Sequence, residues 1–224
     1  MADIISVYGK LLLEAMGQTL IMAFYSLIFA SIIGLIFGML SVLKSKVCNV
    51  IAQVFVDIIR GVPMIVLAFF VFFGIPYALK NFLHSTFTFT ALQAGIICLS
   101  LNCGAYMAEI IRGGIQSVDI GQMEAARSLG MSYGRSMYRI VLPQAIRTMI
   151  PSIINQFIIT LKDTSILSII GFPELVNNAK NVIAITFKSF QTWFIVAIMY
   201  LIVITALSVL AIKVEGRLNR DKQR

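Results

Sequence analysis

"LIMAFYSLIFASIIGLIFGMLSV", residues 20 to 42, carries no charged side chain. A hydrocarbon layer about 30 Å thick is crossed by roughly 20 residues of helix, so this stretch is long and apolar enough to span it. Four further blocks of the same kind follow, at Val62 to Leu79, Phe87 to Ile111, Thr148 to Ile170 and Phe190 to Ile212. With 59% apolar residues, 12% charge and a mean hydropathy of +0.92, the chain is excluded from the ordinary soluble class. The blocks are continuously apolar and do not alternate with period two, which excludes a transmembrane β-barrel. The reading is an all-α membrane protein, a single domain over residues 1 to 224 with five transmembrane helices.

Outward from the first block, Ile4, Ile5, Tyr8, Leu11, Leu12, Ala15 and Met16 recur at helical spacing beside Asp3, Lys10 and Glu14. This predicts a short amphipathic helix on the membrane surface ahead of span one, and not a cleavable signal peptide. Within span one, Ser26, Ala30, Gly34 and Gly38 repeat every four residues, a small-residue groove that lets another helix approach closely. Pro63 is expected to break an interfacial helix that begins near Val47, and Gly74 with Pro76 to mark the outer end of span two.

Lysine and arginine are retained on the cytoplasmic side of short loops. Lys44, Lys46 and Arg60 lie between spans one and two, and Arg112, Arg127, Arg135, Arg139 and Arg147 between spans three and four. Lys213, Arg217, Arg220, Lys222 and Arg224 follow span five, whereas the opposite side holds only Lys10, Lys80, Lys180 and Lys188. The N-terminus is therefore expected outside and the C-terminus in the cytoplasm. Topology accounts for the net charge of +8, and no nucleic-acid partner is implied.

The connection from residue 112 to 147 is then cytoplasmic, and it contains "EAARSLGMSYGRSMYRIVLP", Glu124 to Pro143. Glu124, Ala125, Ala126 and Leu129 favour a short helix, which Gly130 can stop in a left-handed conformation. A second helical piece, Tyr133 to Val141, is expected to end before Pro143. Spacing alone leaves two readings open, a surface loop on the membrane and a docking element whose small alanines admit a partner.

This run resembles the EAA loop of permease subunits in ATP-binding-cassette (ABC) importers: Glu124-Ala125-Ala126, then Gly130, then Ile140 and Leu142-Pro143. "RGVPMIVLAFFVFFG" (60 to 74), "NCGAYMAEIIRGGIQSV" (102 to 118) and "LKDTSILSIIG" (161 to 171) resemble segments of the polar amino acid permease subfamily. The resemblance implies that Glu124, Ala125, Ala126 and Gly130 form a coupling helix seated on a cytoplasmic ATPase. It further implies two ATPase subunits, a second permease chain, identical or homologous, and an extracytoplasmic amino-acid-binding protein, all at a bacterial cytoplasmic membrane. ATP and magnesium would be held by the ATPase, since this chain has no G-x-x-x-x-G-K-[ST] loop and is expected to be no enzyme and to hold no cofactor. Movement of cargo would then follow from ATP-driven alternation between inward-open and outward-open packings.

Ionisable groups inside a membrane mark a pathway or a buried pair. Gln156, Thr160 and Asp163 fall on one stripe of span four beside Lys162, and Asn102, Tyr106 and Glu109 form an analogous row in span three. A zwitterionic amino acid needs an acceptor for its ammonium and a donor for its carboxylate; Asp163 or Glu109 with a nearby amide or hydroxyl would serve. The alternative is that Lys162 and Asp163 only hold helices together. Neither reading selects between a cationic cargo such as arginine, histidine or lysine and glutamine or cystine.

Cys48, Cys98 and Cys103 have neither disulfide nor metal-site spacing, and His84 stands alone in an external loop, so no metal is expected. Trp193 and Phe190 suggest an interface anchor at the outer end of span five, with Tyr200 set deeper than an anchor would be. The external segments Lys80 to Thr86 and Phe172 to Lys188, the latter with polar, turn-rich "GFPELVNNAK", read as loops suited to docking a binding protein. A stand-alone secondary transporter or channel is the rival reading, opposed by the EAA loop, the odd span count and the lack of an inverted repeat. A non-transporting membrane scaffold is a second rival, opposed by the polar rows.

Overall fold

The structure is a computed structural model that describes residues 1–84 and 86–220, without the side chains of residue 2 and residues 214–220. The basic residues Lys222 and Arg224 lie outside the described residues, as do the side chains of Arg217 and Arg220. Helix α1 runs from Ala2–Leu40, α2 from Lys46–Gly61 and α3 from Met64–Leu83. Helix α4 covers Ala91–Gln116, α5 Ile120–Ser128 and α6 Tyr133–Ile170, followed by α7, Leu175–Thr186, and α8, Ser189–Arg220. By length and apolarity, α1, α3, α4, α6 and α8 are the 5 that can cross a membrane.

Helix α4 is the hub: 67% of its membrane window is buried, against 6% for α8. Its seat against α1 follows from the small residues. A Cβ on Gly34 would stand 2.5 Å from Met107 Cβ, one on Gly38 2.8 Å from Ile111 Cβ, and one on Gly104 2.7 Å from Ile33 Cγ2. Across the same seam Ser100 Oγ donates to the Ser26 carbonyl at 3.2 Å. Any larger residue there would push the two backbones apart, at a cost of about 1–3 kcal/mol for overpacking.

Several expected boundaries move, each for a local reason. The N-terminal stretch is not a separate surface helix: α1 is unbroken over 39 residues, about 58 Å at the helical rise. Ile4, Leu12, Ala15 and Met16 are buried, the last three with Leu175, Ala179 and Val196 of α7 and α8, so this apolar stripe faces protein. Span two continues past Gly74 and Pro76 to Leu83. A π-helical turn at Phe70–Gly74 lets the Ile75 N–H reach the Phe70 carbonyl, rearranging the bonds just where Pro76 offers no N–H.

The same device operates at Pro143. A π-helical turn at Met137–Val141, with the Leu142 N–H on the Met137 carbonyl, carries α6 through Pro143, so the expected second cytoplasmic piece is the base of span four itself. Span three starts later than expected, at Ala91, because Thr90 and Gln93 form a reciprocal capping box, and it runs on past Arg112 to Gln116. Pro63 does separate α2 from α3, as expected. The segment after Phe172 is a helix, α7, and not a loop: Leu175, Ala179 and Val182 are buried, and the Glu174 side chain caps its first turn. The Tyr200 hydroxyl donates to Glu174 Oε2 at 3.4 Å, so this ring is tied to the start of α7.

Candidate functional site

Spans α3, α4 and α6 and the end of α2 enclose a cavity of about 350 Å³ whose polar wall is Arg60, Asn102, Tyr106, Gln156 and Asp163. Helix α4 contributes Asn102 and Tyr106 from one face, four residues apart, and α6 contributes Gln156 and Asp163 from another, seven apart. Asn102 and Gln156 are nearly buried, and Asn102 Nδ2 makes only a weak contact, 3.9 Å to Met64 Sδ. Asp163 is half-buried, and no hydrogen bond or ion pair within 4 Å reaches its carboxylate from the described residues. An acceptor, two amides, a phenol and a guanidinium thus converge on one water-sized-to-metabolite-sized space inside the membrane-spanning region.

The structure separates the other expected residues from this group. Thr160 is buried and its Oγ1 donates back to the Gln156 carbonyl at 2.9 Å, so it braces α6 and does not line the cavity. Lys162 is exposed, off the cavity, and makes no ion pair within 4 Å among the described residues, so it holds no helices together through a salt bridge. Glu109 lies one turn below Tyr106, held between two guanidiniums: Arg60 Nη1 at 3.2 Å from Oε2, and Arg112 Nη2 on Oε1. With both oxygens engaged, it is a clamp and no open acceptor.

Arg60 is the residue that sequence reasoning did not single out. Its guanidinium lies 4.8 Å above the centre of the Tyr106 ring while it pairs with Glu109. The sequence signal was its place directly before Gly61-Val62-Pro63, where α2 ends and the chain turns into span two. That turn carries the arginine from the loop, where topology alone put it, to the floor of the cavity.

Below α4 the chain passes through Ser117 and Val118 to Asp119, whose Oδ1 accepts from the Gly121 N–H at 2.6 Å and starts α5. Helix α5 ends in a double-bonded left-handed cap, Gly130 N–H to Arg127 O and Met131 N–H to Ala126 O, with Gly130 at φ +81. Glu124 and Ala125 are exposed, and so are Ile120 at 75% and Leu129 at 84%. Ala126 is 2% exposed and cannot offer the partner-facing surface expected of it; its small side chain lets α5 lie close on the protein. Gln144 Nε2 donates to Gln122 Oε1 at 3.4 Å, tying α5 to the base of α6.

The cysteines are free, Cys98 and Cys103 buried, and among the described residues no cluster of His, Cys, Asp and Glu could hold a metal ion. His84 is exposed in a left-handed cap at the end of α3.

Residues 15–220 match the family model described as binding-protein-dependent transport system inner membrane component. The glutamine transport system permease protein GlnP of Escherichia coli (strain K12) is 35% identical over 209 residues, covering 93% of each chain. A probable glutamine ABC transporter permease protein of Bacillus subtilis (strain 168) is 38% identical over 202 residues, covering 89% of each. Among solved structures, an amino acid ABC transporter crystallised with histidines superposes with a TM-score of 0.85 at 34% identity, over 94% of this chain and 95% of that one.

Proposed function

This chain belongs to the family of inner-membrane components of binding-protein-dependent transport systems, as a multi-pass ABC permease of the polar amino acid group, and on that premise we propose that it imports a polar amino acid by ATP-driven alternating access. The observation that carries the reading is the continuity of α4. Its middle supplies Asn102 and Tyr106 to the cavity wall, and its end leads within three residues into α5, the helix with the Glu124-Ala125-Ala126 signature. A push on α5 therefore reaches the cavity through one rigid rod.

In this reading the N-terminus is extracytoplasmic and α5 is the coupling helix. Glu124, Ala125 and Gly130 meet an ATPase, with Ile120 and Leu129 supplying exposed apolar contact area. Two ATPase subunits hold ATP and magnesium; this chain hydrolyses nothing. A second permease chain completes the pathway and a binding protein delivers cargo from outside. Asp163 accepts the α-ammonium, Asn102, Tyr106 and Gln156 give hydrogen bonds, and Arg60 offers donors to the carboxylate at the cavity floor. Glutamine and histidine are the first cargoes to try, because similar proteins carry those names.

The test is reconstitution in liposomes with the ATPase and binding protein, measuring ATP-dependent uptake of labelled glutamine, histidine, arginine and cystine. Uptake of one of them, weakened tenfold or more by Asp163→Asn in a complex that still assembles, is the expected result. Failure of every amino acid in an assembled complex sinks the substrate class. Retention of the ATPase by an Ala125→Arg chain sinks the coupling assignment.

A further inference from the structure

Beneath Arg60 lies a second cavity, about 390 Å³, between α1, α2 and α4. We infer that it is a second amino-acid site, on the cytoplasmic side of the intramembrane one, which receives the zwitterionic end of the cargo. The inference rests on the importer reading and extends it from one station to two.

The first argument is charge. Arg60 and Arg112 share the single carboxylate of Glu109, which leaves one positive charge and several guanidinium N–H donors without an anionic partner. Both arginines line the cavity, and they suit a carboxylate. The compensating negative charge stands on the α2 side: Asp57 lines the same space, one turn before Arg60, and makes no ion pair within 4 Å among the described residues. The site as a whole is neutral and polarised, complementary to an ammonium and a carboxylate on one molecule, and poorer for a simple cation or anion.

The second argument is an unmet acceptor. Asn49 Oδ1 is buried and has no hydrogen-bond partner, and Asn49 lines this cavity. A buried amide oxygen without a donor costs about 1–3 kcal/mol, which turning the Asn49 amide toward an N–H in the cavity would recover. The stripe Asn49, Gln53, Asp57 and Arg60 falls on one side of α2, beside the buried Ala52 and Val56, and its Gln53, Asp57 and Arg60 are exposed at the cavity edge.

The third is continuity. Arg60 belongs to the wall of both cavities, so the upper space and the lower adjoin at its side chain. Ser41, Asn49 and Gln116 are likewise shared between the lower cavity and a third one, which reaches Asp119, Ile120 and Tyr133 beside the coupling helix. Shared walls make a staircase from the membrane interior to α5. Cargo released from the upper site meets the lower one before the cytoplasm.

The test counts ligands. The assembled transporter in detergent is titrated with whichever labelled amino acid its uptake assay accepts, and bound label is measured per permease chain. Two molecules per chain are expected, falling to one with Asp163→Asn and to a different one with Asp57→Asn, so that the double variant binds none. Asp57 is exposed and the change is isosteric, so assembly with the ATPase persists; Gln53→Leu, also on an exposed position, provides an independent variant with the same expected loss. One molecule per chain, removed by Asp163→Asn and indifferent to Asp57→Asn and Gln53→Leu, overturns the lower site and leaves the importer reading intact. Loss of uptake itself in the assembled wild-type complex would instead strike the importer reading.

Discussion

Two carboxylates, Glu174 and Asp163, are held in opposite ways. Glu174 is fully buried, and its oxygens accept the N–H of Asn177 at 2.7 Å, the N–H of Val176 at 2.8 Å and the Tyr200 hydroxyl at 3.4 Å. Asp163 borders a cavity and receives no hydrogen bond from the described residues. One carboxylate is consumed by the fold and the other is left for something that comes and goes. Desolvation without compensation is costly, so an unpartnered carboxylate at a cavity persists only where water or a ligand reaches it.

Substitutions can break that contrast, and the largest effect belongs to the sealed group. Glu174→Ala strips two N–H groups at the start of α7 of their acceptor and leaves a void, so it should destabilise the chain by about 2–4 kcal/mol. Thermal unfolding in detergent measures it. Asp163→Asn should lower uptake tenfold or more, about 1.4 kcal/mol, while the same melting curve stays put. If instead it lowered the melting point as Glu174→Ala does, the two carboxylates would be one kind of group and the contrast would fail.

The pH dependence sharpens the point further. Burial raises the Glu174 carboxyl above its ordinary value of 4.5, with the Val176 and Asn177 N–H groups and the Tyr200 hydroxyl opposing. A folded state with a raised acid binds the proton more tightly than the unfolded chain, so the contribution is fully present below the unfolded value near 4.5 and fades as pH rises through the folded one. Stability should therefore rise as pH falls from neutral into that window, and Glu174→Gln should flatten the slope. The smallest effect is Tyr200→Phe, which deletes a long hydrogen bond to a carboxylate and should cost about 0.5–1.5 kcal/mol in the same melt, with uptake unchanged.

Much of this was legible in the chain, and the parts that were not share a cause. Continuous apolar blocks announced the spans, and the four-residue rhythm of Ser26, Ala30, Gly34 and Gly38 announced the seam with α4, because both are properties of one helix. The rows Asn102/Tyr106 and Gln156/Asp163 were visible for the same reason. Arg60 was hidden because its role depends on a turn at Pro63 that brings the end of α2 under two other helices. Glu174 was hidden because "GFPELVNNAK" has the composition of a loop, and only contact with α1 and α8 makes it a buried cap. Pro76 and Pro143 read as stops by local rules, yet in each case the five residues before the preceding position widen into a π-turn and the helix goes on. In general, what one helix decides can be read from a line of residues, and what two distant helices decide together cannot.

The first helix depends on the last ones. Thr19 Oγ1 accepts the N–H of Leu175, 156 residues later, and the Asp3 carboxylate pairs with Lys188 at 3.1 Å. At a synthesis rate of about 5–20 residues per second, the partner of Thr19 leaves the ribosome roughly 8–30 s after it. Through that interval the stripe of Leu12, Ala15 and Met16 has no α7 or α8 to cover it. The first half of α1 is made first and finished last, so a chain cut short after α6 would carry a greasy, uncovered stalk, a ready target for the membrane's quality-control proteases.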